Sequence, residues 1–255
     1  MIPFFRKIRK KMADDNKPIK YARYAIGEII LVVIGILIAL QINTWNGERL
    51  EKKKEIKILN TLLDDLKQAE ARSKTLIDRE QKHLRLYELV LGEEEQHNML
   101  LNHPKKDSIF HEIIFTLVSE VPVIYAYSDL KNNGETGLIS NKEISSRFTF
   151  LEFKIIDLNR QLEDRLLVQQ LRLDGFAIDD INFVQTLKAL PPTYTISYGP
   201  ENDYLKLLQN KEFINATGLK LALSDDALIN RVDLLDEITV LIGLIEDELG
   251  DNRNG

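Results

Sequence analysis

The spacing of apolar residues divides the chain into one unbroken greasy run and a long amphipathic remainder. Within "GEIILVVIGILIALQINTWN", residues 27–46, the twelve residues from Ile29 to Leu40 are all apolar. From Tyr21 to Ile42 the charges are Arg23 and Glu28. Those 22 residues, as helix at ~1.5 Å each, reach about 33 Å, close to the ~30 Å hydrocarbon thickness of a bilayer. Tyr21 and Tyr24 stand at one end and Trp45 at the other, where interfacial aromatics belong. Leu40 and Gln41 after Ala39 suit signal peptidase poorly, so the segment reads as an uncleaved signal-anchor rather than a leader or a core helix.

Behind it the pattern is helical throughout. Leu59, Leu62, Leu66, Ala69, Leu76, Leu84, Tyr87 and Leu91 recur by threes, fours and sevens, with no Pro or Gly between Glu48 and Gly92. Ser73 and Glu80 occupy seam positions, which favours an amphipathic helix packing on its own domain over a coiled coil. Asp107 is expected to cap a short helix over Ile109 to Val118, and a second runs from Val123 to Leu130. Ser140-x-x-Glu143 has the form of a capping box ahead of Ile144, Phe148, Leu151, Ile155, Leu158, Leu162 and Leu166. Ile178, Ile181, Val184 and Leu187 suggest a further short helix; "TYTISY" is too isolated to count as a strand. Ser224 is expected to cap a last helix whose Leu228, Val232, Leu235, Ile238, Ile242, Ile245 and Leu249 face one way, stopped by Gly250. The expected fold is all-α: an N-terminal transmembrane helix continuing into a long helix, then an antiparallel helical-bundle extracytoplasmic domain. In residues this is a basic cytoplasmic tail (1–20), a transmembrane signal-anchor helix (21–45), an extracytoplasmic bundle (46–250) and a disordered tail (251–255).

Charge sets the orientation. Residues 1–24 carry eight Lys/Arg against Asp14 and Asp15, and five more (Arg49, Lys52, Lys53, Lys54, Lys57) follow the apolar run. The excess on the N-terminal side favours that end inside. With the whole chain at −6, the part from residue 58 onward stands at −13. An acidic body behind a basic tip argues against nucleic acid and suits an anionic membrane surface. There are no cysteines, hence no disulfide, thiolate metal site or cysteine nucleophile.

At ~100° per residue, Glu28, Gly35, Ala39, Asn43 and Asn46 fall in one stripe less than about 100° wide. Gly35-x-x-x-Ala39 is a small-xxx-small pair that lets two helices approach closely. The stripe is therefore a candidate association seam for a second copy or a partner membrane helix. Glu28 has a second reading, as a shallow carboxyl that reaches back to the headgroups.

The segment from Tyr24 to Asn46, preceded by "FFRKIRKK", resembles the N-terminus of a family of uncharacterised single-pass membrane proteins, a domain-of-unknown-function group mostly from Bacteroidota. "YSDLKNNGETGLISNKEI" (Tyr127 to Ile144) is similar to that family's second recurring motif, through Tyr127, Leu130, Gly134 and Leu138-Ile139-Ser140-Asn141. The resemblance implies a bacterial inner-membrane protein, N-terminus cytoplasmic and helical domain periplasmic; it implies no activity.

Motifs for chemistry are lacking. No phosphate loop, dinucleotide glycine pattern, HExxH or GxSxG occurs. His97 and His103 flank a loop near Glu93, Glu94 and Glu95, but without a known ligand spacing, and His111 reads as a partnered core-edge residue. Asp64-Asp65 and Asp179-Asp180 diverge by about 100° on a helix and cannot share a proton. Asn133, Gly134 and Gly137 form a helix-connecting turn, with anion binding by its N–H groups as the sharper alternative. Tyr194, Tyr198 and Tyr204, in and beside the loop Pro191 to Asp203, either contact a partner or pack back onto the helices. No catalytic residue, cofactor or metal is expected. The function expected is a membrane-anchored interaction or scaffold module that self-associates through its transmembrane helix; the alternative is an extracytoplasmic ligand-sensing module that signals through a partner protein.

Overall fold

The computed structural model describes the backbone of residues 18–175, 180–188, 190, 196 and 199–254, and the side chains of these apart from 18–24 and 252–254. Among the described residues the regular structure is helical, with no strand. The chain divides into two compact units, Met1–Ile56 and Lys57–Gly255.

Helix α1 runs unbroken over Pro18–Leu91. Its part in the first unit holds an 18-residue window of mean hydropathy 2.6 with none of it buried. Ile29 to Ile34, Ile36 to Ile38 and Leu40 are all exposed, Leu31 at 73%. α1 ends at Gly92, where a Cβ would lie 2.7 Å from the Gln96 side chain. That side chain accepts from Glu93 N at 3.0 Å and completes the capping box of α2, Glu94–Leu101. Only glycine leaves room for this tight corner.

In the second unit follow α3 (Lys106–Phe115), α4 (Tyr125–Asn132), α5 (Lys142–Val168), a π turn (Gln169–Leu173), α6 (Phe183–Lys188), α7 (Tyr204–Leu208) and α8 (Lys211–Asn254). Three long seams make the core. In α1 a buried seam runs through Leu59, Leu62, Leu66, Ala69, Ser73, Leu76, Glu80, His83, Tyr87 and Val90 by alternating threes and fours, with Ile77 buried beside it. α8 repeats it through Phe213, Thr217, Lys220, Ser224, Ala227, Arg231, Leu234, Ile238, Leu241 and Ile245. α5 contributes Ile144, Phe148, Leu151, Leu158, Leu162 and Arg165. A repeat averaging 3.5 keeps one seam facing inward along a long helix. α5 and α8 run in opposite directions: Asn141 meets Glu248 (2.9 Å), Arg147 meets Glu237 (2.9 Å), Gln161 meets Asn230 (2.8 Å) and Arg165 meets Ser224 (3.1 Å).

Several local expectations need correction, most for one reason. Leu91, Leu166 and Val232 lie exposed, and Val90, Arg165 and Arg231 take the inward positions. At 166 and 232 the apolar pattern is shifted by one residue because Arg165 and Arg231 occupy the seam. Ser224 starts no helix; it lies buried within α8, which runs past Gly250 to Asn254. Glycine costs a helix about 1 kcal/mol but does not stop it, so residues 251–254 are helical rather than a loose tail. Asp107 lies in the first turn of α3 rather than capping it, because its carboxylate accepts from Tyr204 Oη (2.5 Å) and Gln185 Nε2 (3.1 Å). The cap of α5 is Asn141, whose Oδ1 accepts from Glu143 N and Ile144 N, in place of Ser140. "TYTISY" lies largely outside the described residues, as does Asp179.

Candidate functional site

The structure brings together a polar layer at mid-height of the three seams. Its cause is the backbone between α3 and α4. Residues 116–124 form no helix and are partly buried, with Val118, Pro122 and Ile124 turned inward and Ser119, Glu120 and Val123 exposed. Their carbonyls, and the last carbonyls of α3, need donors that a helix would otherwise supply. Side chains provide them. Arg165 donates through Nη2 to Val118 O, and Arg231 through Nη2 to the same oxygen (2.7 Å) and through Nη1 to Glu120 O (2.8 Å). Lys220 Nζ donates to Ile113 O (2.7 Å) and Ile114 O (3.3 Å); Gln169 Nε2 donates to Ile114 O (2.6 Å) and Asp174 Oδ1 (2.8 Å).

Glu80 balances the layer. Its Oε1 accepts from Arg165 Nη1 at 2.5 Å and its Oε2 from Arg231 Nε at 3.3 Å, and it is 0% exposed. Arg165 Nη1 also donates to Ser224 Oγ at 3.1 Å. One carboxylate thus holds two guanidiniums, and Lys220 adds a third cation 5.3 Å from the centroid of the Tyr87 ring. Burial, with the positive charge of Arg165 adding to it, pushes Lys220 down to about 7. Burial likewise pushes the Tyr87 hydroxyl up. At the rim Glu112 accepts from His83 Nε2 (3.2 Å) and Lys82 Nζ (2.6 Å); the His83 bond, more than Lys82, draws it down to about 2 against the opposing effect of burial.

Chemically this arrangement is a clamp. Both oxygens of Glu80 are engaged by guanidiniums, and the cations point at backbone carbonyls rather than into a cleft. A general acid or base needs a free oxygen within reach of a substrate proton, and Glu80 offers none. The layer fixes an irregular strand of backbone between three helices. Sequence reasoning did not single out Arg165, Lys220 or Arg231. The signal that could have found them is spacing: each sits on a strict three-four repeat begun by apolar residues.

The residues singled out from sequence are scattered. Gly35, Ala39 and Asn43 are exposed along α1, and nothing lies within 4 Å of where a Cβ on Gly35 would stand. Glu28 is half-exposed on the same helix. At the turn, Gly134 has φ +69°. Glu135 N donates to Leu130 O (2.8 Å), Gly134 N to Lys131 O (3.1 Å) and Asn133 N to Asp129 O (3.0 Å). That is a Schellman terminator of α4; its N–H groups are spent on the helix and not turned to a ligand. Gly137 lies in the 3₁₀ turn Thr136–Leu138. Tyr204 is buried, with its ring stacked 3.9 Å from that of Phe110, so it belongs to the core rather than to an exposed loop. Tyr194 and Tyr198 lie outside the described residues. His111 Nδ1 meets Thr186 Oγ1 at 3.1 Å, and His97 Nε2 donates to Val90 O at 2.9 Å. Among the described residues no three His, Asp or Glu are grouped to hold a metal ion.

Fold and site define an all-helical protein with one long apolar N-terminal helix and a helical unit locked by buried ions. The model of a family described as "Family of unknown function (DUF6090)" matches residues 28–169, more than half of the chain, and the chain belongs to that family. The match takes in Glu80 and Arg165 but ends before Lys220, Ser224 and Arg231. No curated protein and no solved structure matches.

Proposed function

We propose that the protein is a membrane-anchored helical interaction module. Its α1 crosses a bacterial inner membrane once, with the N-terminus in the cytoplasm. The remaining helices form an antiparallel bundle on the periplasmic side. The observation that supports this is the first unit's inverted surface: Ile29 to Leu40 present their side chains outward with no protein against them. In water such a face is a liability; in lipid it is the stable state. The exposed Gly35 and Ala39, on one stripe with Glu28 and Asn43, supply a place where a second copy or a partner helix would dock.

Because the chain has no native cysteine, single cysteines give a clean test. Cysteines at Gly35 and Ala39 should form disulfide dimers in native membranes on mild oxidation, and cysteines at Val33 and Leu37 should not. Equal or absent pairing across the four positions contradicts self-association through this seam.

Ligand sensing, the second reading, is favoured by one feature. A cleft of about 430 Å³ lined by Leu171, Arg172, Glu212, Asn215, Ala216 and Leu219 adjoins the π turn, and π turns recur at functional sites.

A further inference from the structure

Just beyond the apolar run, charges on α1 are segregated by face. Taking Arg49 as zero and ~100° per residue, Trp45, Lys52 and Lys53 fall within about 60° of it, Lys54 stands about 140° round the helix, and Glu48, Glu51 and Glu55 lie together on another side. Arg49, Lys53 and Lys54 are exposed, and no carboxylate among the described residues pairs with them; Lys52 pairs with Glu55 at 3.1 Å. The Arg49 guanidinium sits 6.0 Å from the centroid of the Trp45 ring. Side chains on an α-helix lean toward its N-terminus, which here means toward the apolar run. By helix rise Arg49 lies about 10 Å past Ile42 and Lys53 about 16 Å, and a long cationic side chain leaning back recovers ~6 Å of that. Those heights correspond to the phosphate level and its outer edge, within a Debye length of ~8 Å.

We infer that Trp45, Arg49, Lys53 and Lys54 form a collar that holds anionic phospholipid headgroups in the leaflet facing the C-terminal domain. The inference rests on the membrane-spanning reading of α1. Charge complementarity names the occupant, since unpaired cations continuous with an apolar span meet phosphodiesters first. The basic N-terminal tip serves the other leaflet, so the anchor carries positive charge at both of its ends.

Trp45 is the chain's one tryptophan and reports on this place directly. The full-length protein is reconstituted in phosphatidylcholine vesicles doped, at one mole fraction, with brominated phosphatidylglycerol or brominated phosphatidylcholine. The expected result is quenching of Trp45 at least about two-fold stronger by the anionic lipid. That ratio should fall to unity in high salt and in the triple variant R49Q/K53Q/K54Q. Equal quenching by the two lipids in low salt overturns the collar and leaves the anchor standing. A preference unchanged in the triple variant overturns the assignment to these residues. Absence of quenching by either lipid overturns both the collar and the membrane-spanning reading.

Discussion

The two units invert each other. In the first, Ile29 to Leu40 hold their apolar side chains outward. In the second, Glu80, Arg165, Arg231 and Lys220 hold their charges inward, none more than 2% exposed. Each is costly in water taken alone, and each is relieved by a different partner. Among the described residues nothing covers the apolar helix. The buried ions are supplied by the chain itself, as carbonyls of residues 113–120 and one carboxylate. Lone buried ions cost several kcal/mol, and a pair offsets that cost only when its remaining donors are also satisfied. Here the backbone between α3 and α4 takes Arg165 Nη2 and both Nη atoms of Arg231, leaving Arg165 Nε as the one guanidinium nitrogen of the pair with no partner among the described residues.

Removing the carboxylate should break the inner side of this comparison most severely. Glu80→Ala leaves two buried guanidiniums facing each other and is expected to cost roughly 3–5 kcal/mol in urea unfolding of the full chain in detergent. The triple change Glu80→Leu, Arg165→Leu, Arg231→Met should recover part of that loss. It should stay below wild type, because the carbonyls of Val118 and Glu120 then lack donors.

The outer side breaks at Leu37. Leu37→Arg places a charge near the centre of the apolar run and should raise the cost of insertion by about 2.5–3.5 kcal/mol. The readout is the fraction of chain that resists alkaline extraction from membranes. The urea midpoint of the helical unit should not move, since Leu37 is exposed and belongs to the first unit.

Lys220 gives a smaller, pH-dependent effect. Its ammonium is held down to about 7 in the fold and titrates near 10.4 in the unfolded chain. Between these values the unfolded state binds the extra proton, so stability rises with pH from about 7 toward 10, by at most ~1.4 kcal/mol per unit. Below pH 7 both states carry the charge and this contribution is flat. Lys220→Met should remove the rise, measured as the slope of the urea midpoint between pH 7 and 9. An unchanged slope would show that another group carries it.

The smallest effect belongs to the exposed pair Lys154 and Asp233, 3.3 Å apart. A double-mutant cycle there should give a coupling below about 1 kcal/mol, falling with salt. Exposed ions and buried ions of the same kinds would then differ several-fold in worth.

The sequence reveals the apolar helix and the long α1, α5 and α8 because uninterrupted hydrophobicity and helical spacing are local signals. It misleads wherever a charge is buried. Leu166 and Val232 look like seam residues because they are apolar, yet Arg165 and Arg231 hold those places. The reason is the irregular backbone near Val118, a partner remote in sequence that no periodicity announces. Ser224 resembles a helix start for the same reason: its hydroxyl accepts from Arg165, 59 residues away. Tyr204 sits beside a loop in the sequence and is drawn into the core by Asp107 and Phe110. The all-helical class was legible, and so were the main helices. The polar layer was legible only as two anomalies, Ser73 and Glu80 in the α1 seam. The composition of the apolar helix was plain, though its seam is argued from spacing alone.

The most direct measurement of the membrane-anchored reading is labelling of a single cysteine at Ile229, which is exposed on α8, with a membrane-impermeant maleimide. In spheroplasts the label should attach before lysis, and the protein should remain in the membrane through alkaline extraction. Labelling that appears only after lysis would place the helical unit in the cytoplasm and contradict the proposed topology.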